Sequence, residues 1–463
     1  MGEKNVGPSA APVRAGSSLA PRQSLSVGIT LFSMFFGAGN LILPPLLGAQ
    51  AGSESLPAIV GFFAAGVGLP VLGIVAVALA GTLRDLASRV HPVFARVFVA
   101  LVYLAIGPCL AIPRTASTAF EMLAPLLPAA LSVEVARLAF SLAFFVLAYV
   151  LALRPGRLTR FLGRVTGPAL IALIVAVVLA SAVSLLGGEA APAAAPVAPY
   201  DGNAAVQGFL TGYQTMDLLA SLTFGLVIAE NVRGLGVTDG RGVMREVCRA
   251  GAIAGVLMMA VYGGLCAVGI ELSAELPGVA NGAVVITESA TRHFGLAGTV
   301  IVAVIFLLAC LNVCVGLISC CGSYFADELP RVSYRGCALV FAAFSCVVSN
   351  LGLDAILSFS GSLLGALYPP AIVLVLMGML RRRCDAVPPV WPWTVGITVL
   401  VSLLEAARDA LAPGLSLPLD ALPLADLGLG WVLPAALAAA VSCIATIAAR
   451  HLRAGRAPAD RTS

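Results

Sequence analysis

The amino-acid sequence predicts an all-α polytopic membrane protein with twelve transmembrane helices. Of its 463 residues, 60% are hydrophobic and only 11% are charged, whereas a soluble domain contains about 25% charged residues. A transmembrane helix needs about 20 mostly apolar residues. The segments that meet this requirement are 25–50, 57–80, 97–124, 131–153, 165–187, 206–231, 249–270, 295–324, 335–351, 355–380, 391–411 and 428–450.

The distribution of basic residues supports this number of spans. With the N-terminus on the cytoplasmic side, 23 of the 27 lysines and arginines fall in segments that the twelve spans place in the cytoplasm, as the positive-inside rule requires. The exceptions are Arg114, Arg137, Arg292 and Arg408. Because the number of spans is even, both termini are predicted to be cytoplasmic.

The segments outside the spans carry no signature of a soluble domain. The sequence has no nucleotide-binding fingerprint, no basic nucleic-acid-binding face and no cluster of histidines, so we predict neither an enzyme nor an ATP-driven pump. Residues 1–23 are polar and rich in Ala, Ser and Pro, and are predicted to be a disordered cytoplasmic tail. Residues 24–451 form one transmembrane domain, and residues 452–463 a second cytoplasmic tail. A short outer helix is expected near residues 281–292.

The first span contains the stretch Gly37-Ala38-Gly39-Asn40, followed by Pro44 and Pro45. Glycine, asparagine and proline are poor helix formers, so we expect the helix to break here. A break at membrane depth is tolerated where the backbone lines a cavity, and its free carbonyl and N–H groups can bind a cation and an anion. The alternative is a proline kink that binds no ligand.

The sixth span contains a second interruption, from Gly208 to Asp217, with two glycines and several polar side chains. Spans one and six are five spans apart, so they cross the membrane in opposite directions. Discontinuous helices in such positions are typical of an inverted-topology repeat, in which the binding site lies near the membrane midplane. We therefore expect a site between spans one and six.

Three ionisable residues lie within predicted spans: Arg114, Glu121 and Asp217. An unpaired charge at membrane depth costs roughly 2.5–3.5 kcal/mol, so each needs a partner or contact with water. Arg114 could form a structural pair with Glu121 or Asp217, or the three could serve gating or coupling. The group Glu405, Arg408 and Asp409 at the end of span eleven is predicted to be an outer-surface cluster.

Two glycine pairs have the spacing of close helix packing. They are Gly251-x-x-x-Gly255 in span seven and Gly361-x-x-x-Gly365 in span ten. Small residues at this spacing let two helix backbones approach each other. We predict that both pairs pack against helices within the fold.

The sequence resembles the bacterial branched-chain amino-acid:cation symporters, the system II carriers. The motifs that carry the resemblance are Leu31–Pro45, Ala105–Pro108 with Ile112–Ala116, Gly212–Asp217 with Leu219–Leu222, Leu308–Leu311 with Gly316–Ile318, and Gly352–Ile356. The resemblance implies the five-plus-five inverted repeat of the amino-acid/polyamine/organocation type, with broken helices 1 and 6 and two extra helices. The repeats would span about 25–187 and 206–380, and the extra helices about 391–450. It also implies a multi-pass protein of the bacterial inner membrane.

The resemblance further implies which residues bind the substrate and the coupling ion. The first break would bind the substrate carboxylate through backbone N–H groups, and the second break would bind the amino group. These substrate residues would be Gly37, Ala38, Gly39, Asn40, Tyr103, Ile106, Tyr213, Gln214, Thr215 and Met216. A sodium ion between spans one and eight would be bound by Ser33, Phe36, Asn40, Ala309, Asn312 and Val313.

The chain departs from the family at this sodium site. The family has hydroxyl residues at the positions of Asn312 and Val313, and sodium prefers oxygen ligands. Asn312 can supply a side-chain oxygen, but Val313 cannot. The missing ligand could be replaced by Ser319 or a water, or the register of span eight could differ by one residue. Otherwise the coupling ion is a proton, and Asp217 is the first candidate to carry it. No other cofactor is expected.

The sequence therefore predicts sodium-coupled import of leucine, isoleucine and valine by alternating access. The runner-up is a proton-coupled or differently specific amino-acid carrier of the same fold. A passive channel is a third hypothesis, against which the paired breaks argue, because a channel needs a continuous lined pathway. The expected partners are a small amino acid and membrane lipid, with no nucleic acid and no obligate protein partner.

Overall fold

The structure is a computed structural model that describes residues 18–128, 131–153, 157–187, 191–411 and 418–454. The helices in the first half are α1 (Pro21–Phe35), α2 (Ala38–Ala51), α3 (Ser55–Phe63), α4 (Leu69–Ala80), α5 (Leu83–Ser88), α6 (Pro92–Leu104), α7 (Ala111–Leu123), α8 (Val133–Leu153) and α9 (Arg157–Leu186). Those in the second half are α10 (Ala204–Tyr213), α11 (Asp217–Gly234), α12 (Gly240–Glu271), α13 (Gly282–Glu328), α14 (Tyr334–Ser349), α15 (Leu353–Met379), α16 (Arg381–Cys384), α17 (Val390–Leu411) and α18 (Val432–Ala454).

The predicted spans agree with these helices. Among the described residues, nine helical segments are long and apolar enough to cross a membrane, or ten when the bent pair α10–α11 counts as one span. One of the nine, Ala38–Ala80, has 43 residues and would be about 65 Å long as one helix, twice the hydrocarbon thickness. Gly52 interrupts it with a φ of 49°, so it comprises the second half of span one and all of span two. The short apolar helix α14 is span nine.

Polar contacts between distant segments join helix ends that the twelve spans place on the same side. On the side that carries most arginines, here called the inner face, Arg84 pairs with Glu328 (Nη1–Oε2, 3.3 Å). On the opposite side, the outer face, Asn281 Nδ2 donates a hydrogen bond to Asp354 Oδ1 (2.9 Å). These contacts agree with the alternation of inner and outer connections that twelve passes require.

The outer connection between spans seven and eight is helical, as predicted. The first part of α13 begins after Asn281, whose Oδ1 accepts a hydrogen bond from the N–H of Ala283 (3.1 Å) and so caps the helix. Gly295, with a φ of 60° and a ψ of −158°, separates this outer part from the long segment that crosses the membrane. A left-handed backbone at this position favours glycine.

The two predicted packing motifs have different outcomes. Gly251 of α12 lies against α4, because a Cβ at this position would stand 3.1 Å from Val71 Cγ1. Gly255, one turn further, faces Val67 of the same neighbouring segment at 3.3 Å. At Gly361 and Gly365 of α15, however, an added Cβ would meet no atom within 4 Å. Packing is confirmed for the first pair and wrong for the second, which faces open space.

Of the predicted N-terminal tail 1–23, only residues from 18 onward are described, and α1 already begins at Pro21. The predicted C-terminal tail 452–463 lies outside the described residues from position 455 onward. The transmembrane domain thus accounts for nearly all of the described chain.

Candidate functional site

Both predicted helix breaks are present. In span one, α1 ends at Phe35 and α2 begins at Ala38, because Phe36 and Gly37 have extended backbones with ψ values of 91° and −174°. In span six, α10 and α11 are bent by 50°, and Met216 between them has a left-handed φ of 62°. Each break frees backbone N–H and C=O groups that a continuous helix would pair internally.

The two breaks face each other across a small central cavity of about 70 Å³. Its walls come from spans one, three, six and eight. The lining residues are Met34, Phe35, Gly37, Ala38, Asn40, Ile106, Ala111, Arg114, Thr115, Thr215, Met216, Asp217, Ala220, Phe224, Val313 and Leu317. A small-molecule pocket usually has roughly 300 Å³ or more, so this cavity is too small to hold an amino acid as it stands.

Asp217 joins three spans through a buried hydrogen-bond network. Its Oδ2 accepts hydrogen bonds from Asn40 Nδ2 (2.6 Å) and Tyr262 OH (3.1 Å). The Asn40 amide also donates to the Tyr262 hydroxyl oxygen. The backbone N–H of Asp217 donates to Thr215 Oγ1 (3.3 Å). A buried carboxylate is costly without such partners, and these partners come from spans one, six and seven.

Arg114 lies on the other side of the cavity, against the first break. Its Nη1 donates to the backbone carbonyl of Gln214 (2.6 Å), and a Cβ on Gly39 would overlap its guanidinium group. The Nε of Arg114 is buried and has no partner among the described residues. The predicted ion pair with Glu121 or Asp217 is absent, since Arg114 bonds a carbonyl oxygen that the second break leaves free.

The position of Arg114 creates a place for an anion. The N-terminus of a helix carries a partial positive charge of about half an electron, and α2 begins at Ala38, next to the arginine. A guanidinium group at this end is repelled by the helix unless a negative group lies between them. The unpartnered Nε of Arg114 and the free N–H groups of α2 would both bind such a group.

Several predicted site residues lie outside the central cavity. Glu121 is partly buried, and the nearest charged groups are Arg137 and Asp354. The ring of Tyr103 stacks on Tyr324 at a centroid distance of 4.0 Å, and it does not line the cavity. The contacts of Glu121 do not test whether it has a gating role.

The first two residues of the second break face outward. The ring of Tyr213 stacks on Tyr368 at a centroid distance of 4.3 Å, and the Gln214 side-chain oxygen accepts a hydrogen bond from Ser360 Oγ (2.9 Å). Tyr213 and Gln214 line a separate outer pocket, whereas Thr215 and Met216 line the central cavity. The second break therefore separates two cavities.

Of the predicted sodium residues, Val313 and Asn40 line the central cavity, whereas Ser33 is exposed and lines a separate groove with Arg22. Val313 of α13 lies beside the first break, since a Cβ on Gly37 would stand 3.9 Å from Val313 Cγ1. This places a side chain without oxygen where the resemblance implies a hydroxyl. Ala309 and Asn312 are partly buried on the same helix. The exposed Ser33 hydroxyl donates to the Thr30 carbonyl of its own helix (2.7 Å).

The sequence analysis did not predict two features of the site, Tyr262 and a break in span three. Tyr262 lies within the long apolar helix α12, where nothing in the local sequence distinguishes it from a packing residue. Span three also contains a break, because Gly107 has a non-helical ψ of −121° and precedes Pro108. A glycine-proline pair in the middle of a span was the available signal.

Solved structures of other proteins share this fold. Mhp1 in its inward-facing conformation aligns with a TM-score of 0.58 and 14% identity, over 95% of this chain and 96% of that chain. A mutant of the Eremococcus coleocola manganese transporter aligns with a TM-score of 0.55 and 14% identity, over 94% of this chain and 98% of that chain. These similarities show the polytopic inverted-repeat membrane fold and, at this identity, nothing about the substrate.

Other proteins share a much higher sequence identity with this chain than these solved structures do. The Bacillus subtilis branched-chain amino acid permease BraB is 36% identical over 437 residues, which is 93% of this chain and 97% of the permease. The Pseudomonas aeruginosa branched-chain amino acid transport system 2 carrier protein is 38% identical over 429 residues, or 91% of this chain and 95% of the carrier. The model of the branched-chain amino acid transport protein family matches residues 21–449. The chain therefore belongs to this family of transporters, as its motifs predicted.

Proposed function

We propose that this protein imports leucine, isoleucine and valine by sodium-coupled symport with alternating access. The family and the named substrates of its relatives support the choice of branched-chain amino acids. The observation that carries the proposal is that Arg114 and Asp217, of opposite charge, line one cavity at the two helix breaks. A zwitterionic amino acid is the ligand whose two charged ends match this arrangement.

The substrate carboxylate would bind at the start of α2. There it would receive hydrogen bonds from the free N–H groups of Ala38 and Gly39 and from the guanidinium group of Arg114. Charge-assisted hydrogen bonds of this kind are about twice as strong as neutral ones. The carboxylate would also remove the repulsion between Arg114 and the positive end of the helix.

The substrate ammonium group would lie toward Asp217 and the second break. Asp217 already accepts two hydrogen bonds on Oδ2, which leaves Oδ1 for the substrate. The remaining walls of the cavity are largely apolar and include Ile106, Phe224 and Leu317. An apolar side chain such as that of leucine would be buried against them, where each buried CH₂ contributes about 0.8 kcal/mol.

Sodium would be bound between spans one and eight by backbone carbonyls and the Asn312 amide. The fit is incomplete because Val313 offers no oxygen at the first break. The alternative is proton coupling through Asp217, whose carboxylate accepts a hydrogen bond from Asn40 after the first break and which begins the half-helix after the second break. A carrier of this fold that is specific for other amino acids is the second alternative.

The small volume of the central cavity and the two broken helices that line it support alternating access. The central space of about 70 Å³ must expand to hold an amino acid, and half-helices can move separately where a continuous helix cannot. Transport would then proceed by movement of one helix bundle against the other around the site. The inner face, with its arginines, would be cytoplasmic, as would both termini, in a bacterial inner membrane.

Uptake of radiolabelled leucine into proteoliposomes tests this proposal, with sodium and proton gradients imposed separately. Sodium-driven uptake that isoleucine and valine inhibit is the expected result. Uptake that follows only the proton gradient would favour proton coupling through Asp217 over sodium coupling. Counterflow of labelled leucine against its own gradient distinguishes a carrier from a channel, which cannot exchange in this way. Absence of leucine uptake under both gradients would overturn the proposed substrate.

A further inference from the structure

A second and larger cavity lies on the outer face, directly outside the break in span six. Its volume is about 440 Å³, which is within the range of roughly 300–1,000 Å³ for small-molecule sites. Its walls come from α10, α15, α17 and the turns that precede α18. We call it the outer pocket. Unlike the central cavity, it can hold an amino acid without any movement of the helices.

Among the described residues, one of the three acids of the outer pocket makes no ion pair. Arg408 donates to Asp409 from Nε (2.9 Å) and to Asp420 from Nη1. Glu405, one turn before Arg408, lines the same pocket and has no hydrogen-bond or ion-pair partner in the described part of the chain. Three carboxylates and one guanidinium group give the pocket a formal charge of −2 and therefore attract a cationic group.

Two buried polar groups of the pocket also have no partner. The Tyr213 hydroxyl and the Trp431 indole N–H make no hydrogen bond within the described residues. These side chains are only 5% and 7% exposed, and both residues line the outer pocket. A buried donor without an acceptor costs about 1–3 kcal/mol. Neither atom has accessible surface in this arrangement, so a ligand carboxylate would satisfy these donors once their side chains turn toward the pocket.

The wall formed by α15 includes two glycines that leave free space in the pocket. At Gly361 and Gly365 a Cβ would meet nothing within 4 Å, so this pair leaves space in the pocket instead of packing against a helix. The pocket also reaches Gln214, whose carbonyl oxygen accepts the hydrogen bond of Arg114 (2.6 Å). Its occupant would thus be one residue away from the central cavity.

We propose that the outer pocket is a second binding site for the transported amino acid, in which Glu405 binds the ammonium group and the donors of Tyr213 and Trp431 bind the carboxylate. This inference rests on the proposed function. The site receives the substrate from outside while the central cavity is closed. The break in span six, with Gln214 on one side and Thr215 on the other, is the boundary that the substrate crosses between the two sites.

The number of leucine molecules bound by the purified protein tests this inference. Equilibrium binding of radiolabelled leucine should give two molecules per chain. Gly365→Leu, which fills the pocket from a position with free space, and Glu405→Gln should each bind one. Asp217→Asn, in the central cavity, should also bind one, and Gly365→Leu combined with Asp217→Asn should bind none. Gly396→Leu is the matched control, because Gly396 is exposed and has no neighbour within 4 Å of its Cβ position.

The other outcomes separate this inference from the proposed function. One leucine per wild-type chain, with unchanged binding and uptake in Gly365→Leu, would overturn the outer site and leave the transport proposal intact. Absence of both leucine uptake and leucine binding in the wild-type protein would overturn the proposed substrate, and with it the outer site.

Discussion

Asn40 and Asp217 connect the two broken helices directly, because Asn40 Nδ2 donates a hydrogen bond of 2.6 Å to Asp217 Oδ2. The residues are 177 positions apart in the sequence. Each lies in the first turn of the half-helix that follows its break. A buried hydrogen bond therefore couples the positions of the two half-helices directly.

Asp217→Asn should lower leucine uptake by a factor of about 10 to 100. The substitution removes the charge that would bind the substrate ammonium group, and hydrogen bonds to charged groups contribute about 1.5–3 kcal/mol, where 1.4 kcal/mol is tenfold. Uptake into proteoliposomes with equal amounts of reconstituted protein measures the effect. Glu230→Gln, at an exposed position of the same helix α11, is the control. Wild-type uptake by Asp217→Asn would contradict the proposed role.

Gly39→Ala should abolish uptake although the protein still inserts into the membrane. The added Cβ overlaps the guanidinium group of Arg114, which must then leave the carboxylate site. Gly39→Leu should have the same effect more strongly. Gly396→Ala provides the control, because its Cβ would meet nothing within 4 Å. The idea fails if Gly39→Ala transports leucine at the wild-type rate.

Val313→Ser should reduce the sodium concentration that gives half-maximal uptake. The serine would supply the oxygen that the first break lacks at this position, and an interaction with a charged partner contributes about 1.5–3 kcal/mol. We expect a change of about tenfold. The control is Gly316→Ser, at an exposed position of the same helix with free space. An unchanged sodium dependence in Val313→Ser would mean that sodium does not bind beside Gly37.

Ser24→Ala should loosen the inner end of α1. The Ser24 hydroxyl donates to Glu246 Oε2 (2.6 Å), and Arg249 pairs with Oε1 of the same buried carboxylate (2.9 Å). This contact holds α1 against α12 on the inner face, and its loss costs about 1.5–3 kcal/mol. Hydrogen exchange of the α1 amides should become at least about tenfold faster. Exchange that matches the exposed control Ser26→Ala would show that Ser24 does not hold the helix.

The helices could be predicted from the sequence because apolar runs of membrane length leave few alternatives. The segments 131–153 and 391–411 correspond to Val133–Leu153 and Val390–Leu411. The breaks could be predicted for a related reason. Gly37 is a poor helix former in a segment that is otherwise strongly helical, whereas Gly212 lies inside α10 and the break in span six falls at Met216.

The partners within the site could not be predicted, because they depend on which helix faces come together. Arg114 was expected to pair with a carboxylate but bonds the Gln214 carbonyl, an acceptor that exists only because span six is broken. Tyr262 reaches Asp217 from a helix whose sequence is apolar around it. Gly361 and Gly365 have the spacing of a packing motif, and a sequence cannot show whether a helix or a cavity lies beside them.

Met216 has a left-handed backbone although it carries a side chain, a conformation that costs an ordinary residue about 1–2 kcal/mol. Contacts with the surrounding residues must hold Met216 in this strained conformation, so the break in span six stores conformational free energy. Any state in which Met216 relaxes gains this energy, and about 1.4 kcal/mol changes a population ratio tenfold. In the proposed alternating-access cycle, this one backbone angle would contribute to how long the protein stays in each state, and so to the speed of turnover.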